Sequence, residues 1–142
     1  MTLITVVFDG LLRYQRAPGF AGPSPLFEVI LRWNGNITPR FPALLDTGST
    51  RTIFKSEFAE SLGIDDLTTF QSITIQTGGG PLSAYLVDVE LEVVLEERSR
   101  FARQVGFARL PRSILGRDII FSKYMFAFEE RTQLIYYRRS EG

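Results

Sequence analysis

Asp46 is the side chain best placed to do chemistry. It stands in Ala43-Leu44-Leu45-Asp46-Thr47-Gly48-Ser49-Thr50, where an apolar run delivers one carboxylate to a tight, glycine-supported turn. The chain contains no histidine and no cysteine. Thiol nucleophiles, Ser-His-Asp or Cys-His catalysis, disulfides, thiolate metal sites and ordinary zinc sites are therefore closed to it. The catalytic side chains left are Asp, Glu, Lys, Tyr, Ser and Thr, and lysine occurs only at Lys55 and Lys123. Taken alone, Asp-Thr-Gly could equally be a plain turn, since Asp and Gly are common turn residues.

Short strands supply the frame that must hold this turn. Thr2–Phe8 is β-branched and aromatic and reads as a strand ending at the turn pair Asp9-Gly10. Arg16–Pro25 carries three prolines and two glycines, the mark of an irregular loop. Leu26–Trp33 reads as a strand, and Asn34-Gly35 is a strong hairpin signal. The return strand, Ile37–Leu45, runs into Asp46, and Pro39 and Pro42 mark it as irregular or at an edge. Thr52–Phe54 is a short strand, and Lys55–Gly63 a short helix with Ser56 as N-cap and Gly63 as stop. Phe70–Gln76 and Ala84–Leu95 are strands separated by the tip Thr77-Gly78-Gly79-Gly80-Pro81. Phe101–Phe107 follows through the charged turn Glu96–Arg100. Leu110–Gly116 brings a second apolar pair, Ile114-Leu115, to a glycine, and Arg117–Lys123 makes one or two helical turns. Tyr124–Phe128 and Gln133–Arg138 form a last hairpin around Glu129–Thr132, and the alternation of Phe126, Phe128, Tyr136 and Tyr137 suits core or interface. Closely spaced strands with little helix predict an all-β, closed, barrel-like fold.

Composition agrees with one domain over residues 1–142, with no repeat and no low-complexity tract. Lys+Arg and Asp+Glu both total 16, so nothing favours a nucleic-acid partner or an anionic membrane, and weak colloidal repulsion permits self-association. No run is apolar for the ~18 residues a membrane span needs. The first nine residues lack a basic leader and are interrupted by Asp9, so the default compartment is the cytosol. Asp65-Asp66 and Glu96-Glu97 read as solvated turn charges, and Arg138-Arg139 as a solvated end. The triple glycine lacks the Gly-Lys-Ser/Thr ending of a nucleotide loop and reads equally as a plain hairpin tip or a mobile flap.

Leu44-Leu45-Asp46-Thr47-Gly48-Ser49, the glycine-rich tip Gly78–Gly80 and Ile114-Leu115-Gly116-Arg117-Asp118 occur in this order. Together they resemble the retropepsin family of aspartic proteases, from about Leu26 onward. The resemblance implies an aspartic endopeptidase that works as a homodimer, because the chain carries one loop where the two-lobed, pepsin-like enzymes carry two. It implies that Asp46 is catalytic and that Thr47, Gly48 and Ser49 shape its loop, with the Thr47 hydroxyl bonding across the dimer. Ile114, Leu115, Gly116 and Arg117 would support the loop. Gly78, Gly79 and Gly80 would form a flap, with Ile75, Thr77 and Leu82 lining the cleft above a peptide or protein substrate. No metal or other cofactor is implied.

Three departures from the family pattern carry expectations of their own. Ser49 stands where retroviral enzymes usually have alanine; a hydroxyl donated to the charged carboxylate favours ionisation and predicts a more acidic pH optimum. Ser49-Thr50-Arg51-Thr52 lacks the acid that often pairs with the later arginine, leaving Asp118 or a backbone carbonyl as partners for Arg117. Ile75-Gln76 stand where pepsin-like flaps carry a tyrosine, and Tyr85 lies across the tip. Two other functions stay open at this point: a catalytically inactive peptide-binding module, and a domain that only dimerises through its C-terminal hairpin.

Overall fold

The computed structural model describes residues 2–95 and 98–140. The expected role of Glu96-Glu97 lies outside the described residues. Eleven strands dominate the described residues: β1 (Gly10–Arg13), β2 (Leu26–Trp33), β3 (Asn36–Ile37), β4 (Phe41–Leu45), β5 (Ile53–Lys55), β6 (Ser72–Thr77), β7 (Gly80–Val94), β8 (Arg98–Ala108), β9 (Ser113–Leu115), β10 (Tyr124–Glu129) and β11 (Leu134–Arg139). The helices are short: α1 (Glu57–Ser61), α2 (Ile120–Lys123) and a 3-10 turn at Leu67–Thr69. None is long and apolar enough to cross a membrane.

Strands β2-β4-β9-β5-β8-β7 form a closed ring, because β7 pairs back onto β2; β3 and β6 extend it at its margins. Alternation along β7 explains the closure. Val87, Val89, Leu91 and Val93 point into the core, while Asp88 is exposed on the other face. Phe27, Leu31, Phe54, Phe107 and Leu115 fill the same interior. A second sheet, β1-β11-β10, covers the barrel and adds Tyr124, Ile135 and Tyr137 to its core. The Phe27 and Phe126 rings meet across the two sheets at 5.6 Å.

Two ring contacts are parallel, β4 with β9 and β5 with β8. The first matters most for function. It sets Leu45 beside Leu115, so the residue following each strand, Asp46 or Gly116, emerges at the same end of the barrel.

Asn34 and Gly35 both adopt positive φ (48° and 81°), the type I′ geometry that suits a two-residue hairpin. The return strand is split into β3 and β4 by Thr38-Pro39-Arg40, where the Thr38 hydroxyl accepts the Leu31 N–H at 2.9 Å. β4 is an interior strand, not an edge. Pro42 is tolerated there because β9 pairs only with Ala43–Leu45 and demands no hydrogen from residue 42. Gly63, at φ 82°, ends the helical segment as expected. Arg98–Arg100 belong to β8 and not to a turn, held there by carboxylates of β7. Residues 2–8 pair with no strand among the described residues, and Gly10 opens β1 instead of closing a turn. High β-propensity does not make a strand without a partner edge within reach.

Candidate active site

Asp46 leaves the end of β4 with its N–H bonded to the Leu115 carbonyl at 3.0 Å. The chain then turns sharply: the Ser49 N–H reaches the Asp46 carbonyl at 3.3 Å, and the Gly48 N–H donates to Asp46 Oδ1 at 2.8 Å. The turn thus fixes one carboxylate oxygen and leaves the half-buried side chain open on its other side. A β-carbon on Gly48 would stand 3.1 Å from that same oxygen, so glycine is the residue that allows the approach.

A second loop braces the first. The Arg117 N–H donates to the Ser49 carbonyl at 2.9 Å. Thr52, fully buried, donates its hydroxyl to Asp118 Oδ1 at 2.7 Å and accepts the Gly116 N–H at 3.2 Å. Gly116 presses directly on the Arg51 backbone. Two strand ends are thereby joined into one rigid floor by backbone groups and a single threonine.

The expected roles of Ser49 and Arg117 differ from what is found. The Ser49 hydroxyl donates to the Arg51 carbonyl at 2.8 Å, not to Asp46, because the turn points it along the loop. Asp118 serves Thr52, and among the described residues the Arg117 side chain has no ion-pair or hydrogen-bond partner. Thr47 is exposed and its hydroxyl is likewise unengaged.

Above the floor, the β6–β7 hairpin arches over a cleft of about 690 Å³. Its tip is tied by the Thr77 hydroxyl, which donates to the Gly80 carbonyl at 2.7 Å and accepts the Gly79 N–H at 3.2 Å. Gly80 takes a φ of 107°, open in practice only to glycine. Of the residues singled out from sequence, Asp46, Gly48, Ser49, Ile75, Thr77, Gly78 and Ile114 line this cleft. Thr47, Gly79, Gly80, Leu115, Gly116 and Arg117 do not; the last three lie behind or below the floor. Leu82 lines a neighbouring cavity of about 450 Å³ instead, together with Tyr85.

Sequence reasoning passed over several participants. Thr52 holds the floor together, yet nothing local distinguishes it from any strand threonine. Ile73 lines the cleft with Ile75, a pairing that period-two alternation along β6 could have revealed. Leu110 and Arg112 form the wall before β9, and Arg51 sits beside the floor. Asp46 is the only carboxylate among the cleft's described lining residues. No group of three or more described His, Cys, Asp or Glu residues could hold a metal ion.

This geometry agrees with what known proteins show. A family model described as aspartyl protease matches residues 29–119, which span β2 through the Gly116 loop. A crystal structure of a retropepsin-like aspartic protease from Rickettsia conorii superposes with a TM-score of 0.60 at 20% identity, covering 89% of this chain and 98% of that one. The EIAV protease, in complex with the inhibitor HBY-793, gives a TM-score of 0.51 at 20% identity over 70% of this chain and 86% of that one. No curated protein matches. With a family model covering well over half of the chain and the same fold in both solved structures, this protein belongs to the retropepsin-like aspartyl proteases.

Proposed function

We propose that this protein is a homodimeric aspartic endopeptidase acting on extended polypeptide segments, with Asp46 of each copy as the catalytic pair. The observation that carries the reading is the isolation of Asp46. It is held by its own turn on the floor of an open cleft that offers no second carboxylate among the described residues. Hydrolysis needs one group to take a proton from water and another to give one to the leaving amine. A twofold axis through the floor would bring the missing group as a second Asp46.

Two carboxylates so placed share one proton, as is known of the aspartic-protease dyad. The ionised Asp46 draws a proton from water, whose oxygen adds to the scissile carbonyl carbon. The protonated Asp46 of the other copy hydrogen-bonds the carbonyl oxygen. The C–N bond then breaks, and the departing nitrogen takes up a proton from the pair. The β6–β7 hairpin acts as a flap, adding main-chain hydrogen bonds to a strand-like substrate and excluding water. The unengaged Thr47 hydroxyl, exposed beside Asp46, is available to bond across the axis.

The test is turnover of an unstructured protein such as casein at mildly acidic pH. Cleavage that disappears in Asp46→Asn, is blocked by a statine-type inhibitor and falls off on dilution below the dimer dissociation constant supports the proposal. Cleavage that survives the Asn substitution, or whose specific rate is independent of dilution to monomer, overturns it.

A further inference from the structure

We infer that the cleft selects acidic side chains in the segment it binds, and that Arg51 and Arg112 are the residues that read them. The inference rests on the reading above only in taking an extended peptide to be the occupant.

Three charged residues line the cleft among the described residues: Asp46 and two arginines. The arginines come from different walls, Arg51 from the loop after Asp46 and Arg112 from the loop before β9. Neither has a carboxylate partner among the described residues. That is unlike Arg32, Arg98 and Arg100, outside the cleft, which all close on Glu92. The chain therefore neutralises clustered arginines in one place and leaves two in its cleft without a carboxylate partner among the described residues.

Arg51 is fixed through its backbone, and Arg112 through its side chain. The Arg51 backbone is clamped between the Ser49 hydroxyl and Gly116. Arg112 donates its Nε to the Gly19 carbonyl at 3.1 Å, and its guanidinium lies 5.2 Å from the centre of the Phe20 ring. The irregular loop before β2 thus acts as a splint. It occupies one edge of the guanidinium and leaves both terminal amino groups unpartnered among the described residues. A planar fork held in this way suits a carboxylate, which it can grip with two parallel hydrogen bonds. Closure over a bound segment lowers the local dielectric and strengthens that grip. Ile73, Ile75 and Ile114 supply aliphatic surface in the same cleft. The preferred segment therefore combines apolar residues with Asp or Glu, and in a dimer each arginine appears twice.

The test uses fluorescent decapeptides with an apolar centre and Glu, Gln or Lys placed in turn at each flanking position. Two quantities are read: kcat/KM for cleavage by the wild-type protein, and Kd for binding to Asp46→Asn, which needs no turnover. The expected order is Glu over Gln over Lys, with Glu favoured over Gln by about tenfold at low salt at one or more positions. That ratio shrinks as salt approaches ~0.5 M. It falls towards one in Arg51→Gln with Arg112→Gln, and returns in part with lysine at both positions. Selective binding without cleavage would sink the protease reading and leave this inference standing. Equal binding of Glu and Gln peptides, a ratio untouched by the double substitution, or no binding of any peptide overturns it.

Discussion

Gly116 lies against Arg51 with no room between them: a β-carbon on Gly116 would overlap the Arg51 carbonyl and stand 2.9 Å from its nitrogen. Gly116 follows β9 and Arg51 belongs to the turn after Asp46, so this contact sets how closely the two loops of the floor approach. Backbone presses on backbone here, so no rotamer change can relieve an added atom.

Gly116→Ala should accordingly push the Asp46 loop away from β9. The cost expected is about 2 kcal/mol, the ordinary scale of overpacking. For a chain this size that lowers the melting temperature by roughly 6–10 °C. The proposed peptidase activity, which would need Asp46 held in place, should fall more steeply than stability does. Parallel melting and kcat/KM measurements check this, and a variant as active and as stable as wild type would show the floor to be softer than it looks.

Thr52 makes a sharper case because the shape can be kept while the chemistry is removed. Thr52→Val preserves volume but strands the buried Gly116 N–H and deprives Asp118 of its donor. An unsatisfied buried donor costs about 1–3 kcal/mol. Thr52→Ser keeps the hydroxyl and should recover most of the loss. Chemical denaturation of the three proteins decides; a serine variant no better than valine would show that the methyl matters, not the hydrogen bonds.

The difference between Gly116 and Thr52 shows what a sequence makes visible. The Asn34-Gly35 hairpin, the bounds of β2 and the glycine tip between β6 and β7 are local features, written in adjacent residues whose backbone needs are specific. Leu26–Trp33 was readable to the residue for that reason. The apolar pairs ending at Asp46 and Gly116 were visible as two separate motifs. Their parallel pairing was not deducible from local pattern, since it joins strands far apart in the chain without any turn chemistry between them. The roles of Thr52, Ser49 and Arg112 depend on that pairing and on the barrel around it, so residue type alone could not assign them. Residues 2–8 failed for the opposite reason: their propensity was plain, but a strand is a relation between two segments.

Glu92 ties stability to pH. Its carboxylate is fully buried on β7 beneath Arg32, Arg98 and Arg100, with contacts of 2.9, 3.3 and 3.3 Å. Burial pushes its pKa upward, but the Arg32 hydrogen bond and the three guanidinium charges outweigh that and hold it below the usual carboxylate range. A folded-state pKa below the unfolded one contributes stability that is complete above the unfolded value, about 4.3, and is lost as pH falls through the folded value. Stability should therefore be level near neutrality and decline below about pH 4. Glu92→Gln should cost about 2 kcal/mol at pH 7, because three arginines lose their common partner, and should flatten the decline at acid pH. Urea midpoints of both proteins across pH 3–7 test it; matching acid limbs would assign the decline to other carboxylates.

Residues 2–7 bear on assembly. Leu3, Ile4 and Val7 are 88%, 78% and 73% exposed, and the segment pairs with no strand among the described residues. At the opposite edge of the β1-β11-β10 sheet, β10 has β11 as its one strand neighbour among the described residues and exposes Met125 and Phe128. An exposed apolar segment and an open sheet edge on one molecule are complementary to the same features on a second copy, and either left bare invites association. If the segment of one protomer lies along the sheet of the other, deleting residues 2–7 should turn a sedimenting dimer into a monomer at micromolar concentration. Specific peptidase activity should drop at least about tenfold if, as proposed, the active centre is built from both copies of Asp46. The barrel itself should survive, because the deleted side chains are outside its core. The near-ultraviolet signal of Trp33, packed on Phe70 at 6.3 Å, reports that directly. A truncated protein that remains dimeric and active would move the interface elsewhere, to the exposed floor around Thr47 alone.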